Sequence, residues 1–152
     1  MVLTRTDENG LYSDDAENFK LSDMNARVDI INKIKPNMVI SIHQNSFEDE
    51  SLKGAQVFYH ESDASSEVLA KCMQEQLKAT LDYCRDNYNH SDLYLLKESN
   101  TLGVLIECGY LTNKEDELNL SSVNYQQKVA YAIMCGVVRY LICVGNINLS
   151  CN

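Results

Sequence analysis

The chain has 152 residues, a formal net charge of −9, 45% hydrophobic and 23% charged residues, one proline and six glycines. That length suits one domain with a real core, and that composition excludes a linker or low-complexity segment. The acidic balance excludes a nucleic-acid binder, which needs a basic footprint, and argues against docking on anionic membranes.

Taken in order, Val2 to Thr4 is a short apolar, β-branched start that predicts a strand. Arg5 to Glu17 is polar, contains Asn9-Gly10 and reads as a loop. Ser22 is a candidate N-cap for a helix running to about Lys35, which Pro36 stops. Met24, Val28, Ile31 and Ile34 or Lys35 give that helix its apolar stripe. Arg27 lies on the stripe's edge, where it either snorkels to water or pairs with a carboxylate near a site. Met38 to Ser41 opens a buried strand that ends in His43, Gln44 and Asn45. An acidic loop, Phe47 to Lys53, leads into a strand over Gly54 to His60, and His60 reads as a surface residue. A helix follows over Ser65 to Cys84, with Leu69, Cys72, Met73, Leu77 and Leu81 facing the core. Asp86 to Asp92 is a polar loop with an exposed His90, Leu93 to Leu96 a short strand, and Gly103 to Leu111 a strand carrying Glu107. Asn113 to Leu120 reads as a turn or short helix. A final helix runs from Val123 or Asn124 to Val144, its buried face made of Val129, Ile133, Val137, Tyr140 and Leu141.

Strands and helices alternate, so the fold class is α/β: three α/β/α layers around a mainly parallel twisted sheet. The expected organisation is one domain over 1–144 and a loose tail over 145–152. Six cysteines, at 72, 84, 108, 135, 143 and 151, form no C-x-x-C or zinc-ribbon spacing and read as small core hydrophobes. No signal-peptide pattern opens the chain. The longest apolar run, Val129 to Val144, is interrupted by Arg139 and falls short of a membrane span.

Two strand ends carry chemistry. Ligands in open α/β sheets sit just outside the carboxyl ends of strands, which is where His43 lies. Its plain alternative is a histidine bonded to a neighbouring loop. In GVLIECGYL, Glu107 is the one charge among uncharged neighbours, so it must be paired, metal-linked or raised in pKa. Its plain alternative is a structural ion pair. The two groups are expected on one face of the sheet, at a common cleft. Side chains alternate along a strand, so Cys108 should point away from it.

Six segments together resemble a known family: VLTR, N-x-R-x-x-x-x-N (Asn25, Arg27, Asn32), SIHQNS, GAQVFY, LYLLK and VLIECGYLTN. They are similar to the zinc-dependent N-acetylmuramoyl-L-alanine amidases of the amidase-3 type, nearest the spore-cortex branch, from Val2 to about Leu141. The resemblance implies hydrolysis of the amide between the lactyl group of N-acetylmuramic acid and L-alanine in peptidoglycan, in the cell wall or another extracytoplasmic place. It implies a zinc held by two histidines and a glutamate, with a catalytic glutamate near the end of the chain. Carried over by motif, His43 is a zinc ligand, Glu107 the catalytic carboxylate, and Asn45 and Arg27 substrate-binding residues.

The chain departs from that pattern at its start. The family's first strand, its glycine-rich H-G-G segment with the first histidine, and the zinc-binding glutamate do not appear. The domain is therefore expected to be N-terminally incomplete, to hold zinc weakly or not at all, and to leave a sheet edge open to self-association. Thr101-Leu102 also stands where the family has a proline. Three readings stay open: a zinc amidase, a non-catalytic homologue that binds wall peptide or a partner protein, and a metal-free hydrolase using His43 and Glu107 as an acid–base pair.

Overall fold

The computed structural model describes residues 1–86 and 88–145, and of Asn89 and His90 the backbone alone. Helix α1 is Phe19–Ile34, α2 Ala64–Thr80, α3 Tyr94–Glu98, α4 Lys114–Leu120 and α5 Val123–Val144. Strand β1 is Val39–Asn45, β2 Gln56–Tyr59, β3 Asn89–His90 and β4 Gly103–Tyr110. The strands lie in the order β1-β4-β2-β3. β1 runs parallel to β4 and β2 parallel to β3, while β2 and β4 are antiparallel. The sheet is thus a small mixed one within an α/β fold.

The central strand sorts the layers. Val104, Ile106 and Cys108 of β4 join Val57 of β2 in the main core, against Leu69, Met73 and Leu77 of α2 and Val129, Ala132 and Tyr140 of α5. The alternate side chains face the other way. There Val39 of β1 packs with Val28 and Ile31 of α1 and Leu95 of α3. Leu69, Cys72, Met73 and Leu77 of α2 are buried as expected, as is Leu81 just past its end, and so are Val129 and Tyr140 of α5. Ile133 and Val137 pack partly, whereas Leu141 points outward, because Ala132 and Gly136 hold the contact with α2 instead.

Local chemistry explains where the elements depart from expectation. α1 begins before Ser22, because the Asn18 side chain accepts from Leu21 N at 3.0 Å; Ser22 Oγ instead accepts from Ser13 N. It ends on Lys35 in the left-handed region, just before Pro36. Val2 to Thr4 is not a strand: Val2 and Leu3 are exposed, and among the described residues no strand pairs with them. Its β-branched residues lack the cross-strand neighbours that stabilise a strand. Leu93 to Leu96 is not a strand either. Leu95 and Leu96 are both buried, and Leu93 O accepts from Leu96 N and Lys97 N, so the segment turns into α3. The polar stretch 86–92 contains β3. α2 stops at Thr80, which frees Cys84 to bridge Ala55. α5, at 22 residues, is long and apolar enough to cross a membrane by length and composition, against the sequence expectation. In this fold its inner face lies on α2 and the sheet. The expected tail lies, from residue 146 on, outside the described residues.

Candidate active site

The parallel β1–β4 pair sets His43 opposite Glu107, and the antiparallel β2–β4 pair sets Gln56 opposite Glu107. Register partners share a face, and adjacent strands lie about 4.8 Å apart. An imidazole, a carboxylate and a carboxamide therefore stand in one row across three strands. The row is on the α1/α3 face, near the carboxyl end of β1 and β4. Just past it the register shifts, pairing Asn45 with Tyr110.

Glu107 is partly buried, and its Oε2 is buried with no hydrogen-bond partner. Burial pushes its carboxyl above the usual carboxylate range. His43 is an exposed residue on the edge strand with its ring partly desolvated, and no residue of β1 is fully buried, so β1 is not the buried strand expected. That partial desolvation, helped by the charge of Arg27, holds the imidazole below its usual range. Its Nε2 lies 2.9 Å from Ser41 Oγ, two residues back on the same face. Cys108 is buried on the opposite face, facing α5, as the strand period requires.

Arg27 has the acidic partner expected of it. Its Nε donates to Asp23 Oδ2 at 2.6 Å, and its guanidinium also reaches Asp23 Oδ1 and Thr4 Oγ1. Asp23 Oδ1 accepts from Leu11 N at 2.6 Å, so this pair pins the N-terminal segment to α1. Asn45 turns its Oδ1 to Ser46 N at 2.8 Å, while its carbonyl accepts from Leu111 N. His60 is not part of the row; it bonds Ser62 Oγ and lies 3.5 Å from Asp92. The side chain of His90 lies outside the description.

The carboxyl edge is held by residues that sequence reasoning missed. Thr112 Oγ1 accepts from Phe47 N. Asn113 caps α4 by accepting from Glu115 N and Asp116 N, and its amide donates to Glu50 O. Asp116 is 4% exposed, and its Oδ2 accepts from both Gly54 N and Tyr110 N at 2.8 Å. A Cβ on Gly109 would stand 3.1 Å from that same oxygen, which is why glycine occupies this place. The spacing Asn113-x-x-Asp116 is a helix-start pattern that could have flagged the acid.

A catalytic zinc takes three protein ligands and a water. Among the described residues, no three His, Cys, Asp or Glu side chains come together to hold a metal ion. His43 with Glu107 does not by itself fit a zinc site.

The sequence matches the amidase-3 family, N-acetylmuramoyl-L-alanine amidases, over residues 1–139. A germination-specific N-acetylmuramoyl-L-alanine amidase of Bacillus subtilis is 32% identical over 144 residues, covering 92% of this chain and 61% of its own length. Among solved structures, the CwlD amidase of Clostridioides difficile, determined in complex with the GerS lipoprotein, superposes with a TM-score of 0.87 at 37% identity, over 93% of this chain and 75% of that one. The catalytic domain of CwlV, an N-acetylmuramoyl-L-alanine amidase from Bacillus (Paenibacillus) polymyxa, gives 0.78 at 26% identity, over 92% and 71%. The chain thus spans less than two thirds of the Bacillus subtilis relative, while the motifs around His43 and Glu107 lie within the matched residues. The chain belongs to the amidase-3 family of N-acetylmuramoyl-L-alanine amidases.

Proposed function

We propose that this chain serves hydrolysis of the amide joining the lactyl group of N-acetylmuramic acid to L-alanine in peptidoglycan, at the cell wall and with spore peptidoglycan as the substrate class. Family membership supports the reaction, and the observation that carries it to residues is the pairing of His43 with Glu107 in register. Glu107 takes the proton of the attacking water and returns it to the leaving amine. A carboxyl raised by burial suits a group that must hold a proton near neutral pH. His43, held below its usual range by partial burial and the charge of Arg27, stands beside Glu107 in the same row. Asn45 and Arg27 shape the rim; the Arg27 head is committed to Asp23 and Thr4. No step here runs through a metal, because the described residues do not complete its ligand set.

That incomplete set favours a second reading, a homologue that binds wall peptide without cutting it. Incubation with a muramyl-L-alanyl peptide, scored for release of the L-alanine amine, separates the two. Release that Glu107→Gln abolishes supports the amidase. Peptide binding without release supports the second reading, and absence of both sinks each.

A further inference from the structure

Glu107 has a register partner on each side, His43 on β1 and Gln56 on β2. Cross-strand partners on one face stand roughly 4.5–5.5 Å apart at Cβ. Ser41 of β1 and Phe58 of β2 flank the row, both opposite Leu105. Leu105 and Phe58 are apolar, and Ser41 Oγ lies 2.9 Å from His43 Nε2. Gln56 is partly buried, and it faces α1 and α3 because its neighbour Val57 is fully buried in the main core. Its carboxamide carries two N–H donors at any pH and an oxygen with two lone pairs, so one partner does not exhaust it.

Amide hydrolysis places a charge where none stood before. As the bond from water to the acyl carbon forms, the carbonyl electron pair moves onto oxygen, and Glu107 takes the water proton. When the C–N bond breaks, that pair returns and the proton goes to the amine. The oxygen needs a donor aimed at it, and a carboxylate beside it supplies none. We propose that Gln56 is a further catalytic residue, donating a carboxamide N–H to the oxygen of the scissile carbonyl as it becomes an oxyanion. This role rests on the chain being an amidase. An acyl carbon seated between Glu107 and Gln56 has the base on one side and the donor on the other, each within about 3 Å reach. A glutamine suits the place, because a second acid would repel both Glu107 and the oxyanion. His43 stands on the far side of Glu107, and the Arg27 head is committed to Asp23 and Thr4, so neither takes this part.

Gln56→Ala and Gln56→Glu test this. The second keeps the shape and exchanges the donor for a charge, so loss of fold in the first leaves the test standing. Against a muramyl-L-alanyl peptide, Gln56→Ala should lower kcat about 10²- to 10³-fold and leave KM within about twofold, since the donor acts on the oxyanion alone. Binding gives a readout independent of turnover. In a phosphinate analogue a tetrahedral anionic group replaces the scissile amide, and calorimetry compares it with the uncut peptide. Wild type should favour the phosphinate, and both variants should lose about tenfold or more of that preference. A wild type without the preference, or equal weakening of both ligands in the variants, would overturn the proposal. Amine release that Glu107→Gln abolishes and Gln56→Ala and Gln56→Glu leave intact would overturn this role and keep the amidase reading. A wild type that releases no amine and binds neither ligand would sink that reading, and the role with it.

Discussion

Glu107 stands opposite His43 across the parallel β1–β4 pair, with one of its oxygens buried and unpartnered. An unsatisfied buried oxygen is uncommon in a folded chain, and at a strand end it marks a group whose proton can move. Glu107→Gln keeps the shape and removes the proton transfer. In a muramyl-peptide assay the variant should lose 10²- to 10⁴-fold in rate, the usual worth of a positioned acid–base group. Undiminished turnover would remove Glu107 from the reaction.

The same substitution has a stability signature. Burial raises the folded-state pKa of Glu107 above its unfolded value. Its contribution to stability is therefore full below the unfolded pKa and is lost as pH rises through the folded one. Glutamine does not ionise. Denaturant curves of wild type and Glu107→Gln should converge in acid and separate above the carboxylate range, with the variant the more stable at neutral pH. Parallel curves over the whole range would mean that burial does not act on this group.

Zinc content follows from the ligand count. With His43 the one imidazole in the row, dialysed protein should carry well under one zinc per chain by atomic emission, and His43→Ala should change that little. Stoichiometric zinc in the wild type would show that other residues form the site.

Arg27 acts on His43 through its charge, second to burial. Arg27→Ala should raise the His43 titration midpoint part of the way to its ordinary value, followed by NMR of the ring protons. Asp23→Ala removes the acceptor of Leu11 N as well as the partner of Arg27. It should cost about 1 kcal/mol and speed proteolysis within residues 4–11. An unmoved His43 midpoint would place Arg27 outside the electrostatics of the site.

Asp116 ties two loops with one oxygen, so Asp116→Ala should cost about 3 kcal/mol by thermal or chemical unfolding, two buried amides losing their acceptor. Gly109→Ala crowds the same carboxylate and should cost about 1–3 kcal/mol. Values near zero for both would mean the edge relaxes without them.

Much of this was readable beforehand because periodicity carries long elements. The 3.6-residue spacing of Leu69, Cys72, Met73 and Leu77 and the apolar run before Glu107 left little choice of structure or face. Short segments carry no such signal. Leu93 to Leu96 reads equally as strand or helix, and only the burial of Leu95 and Leu96 together decides it. Val2 to Thr4 has strand-forming residues, but whether a strand forms depends on a neighbour that one segment cannot reveal. His43 and Glu107 were legible as odd polar groups at strand ends. Gln56 beside them was not, because an antiparallel register is a property of the assembled sheet. Asp116 was legible as part of a helix start but not as a tie: Tyr110 is six residues away, while its other partner, Gly54, is 62.

That shared acceptor couples two distant points of the chain in time. Gly54 opens the turn into β2 and Tyr110 closes β4, and both amides end on the same Asp116 oxygen. Neither proton reaches water until that carboxylate lets go, so the two should exchange with deuterium at one common rate, set by a single opening of the α4 cap rather than by the fraying of either strand.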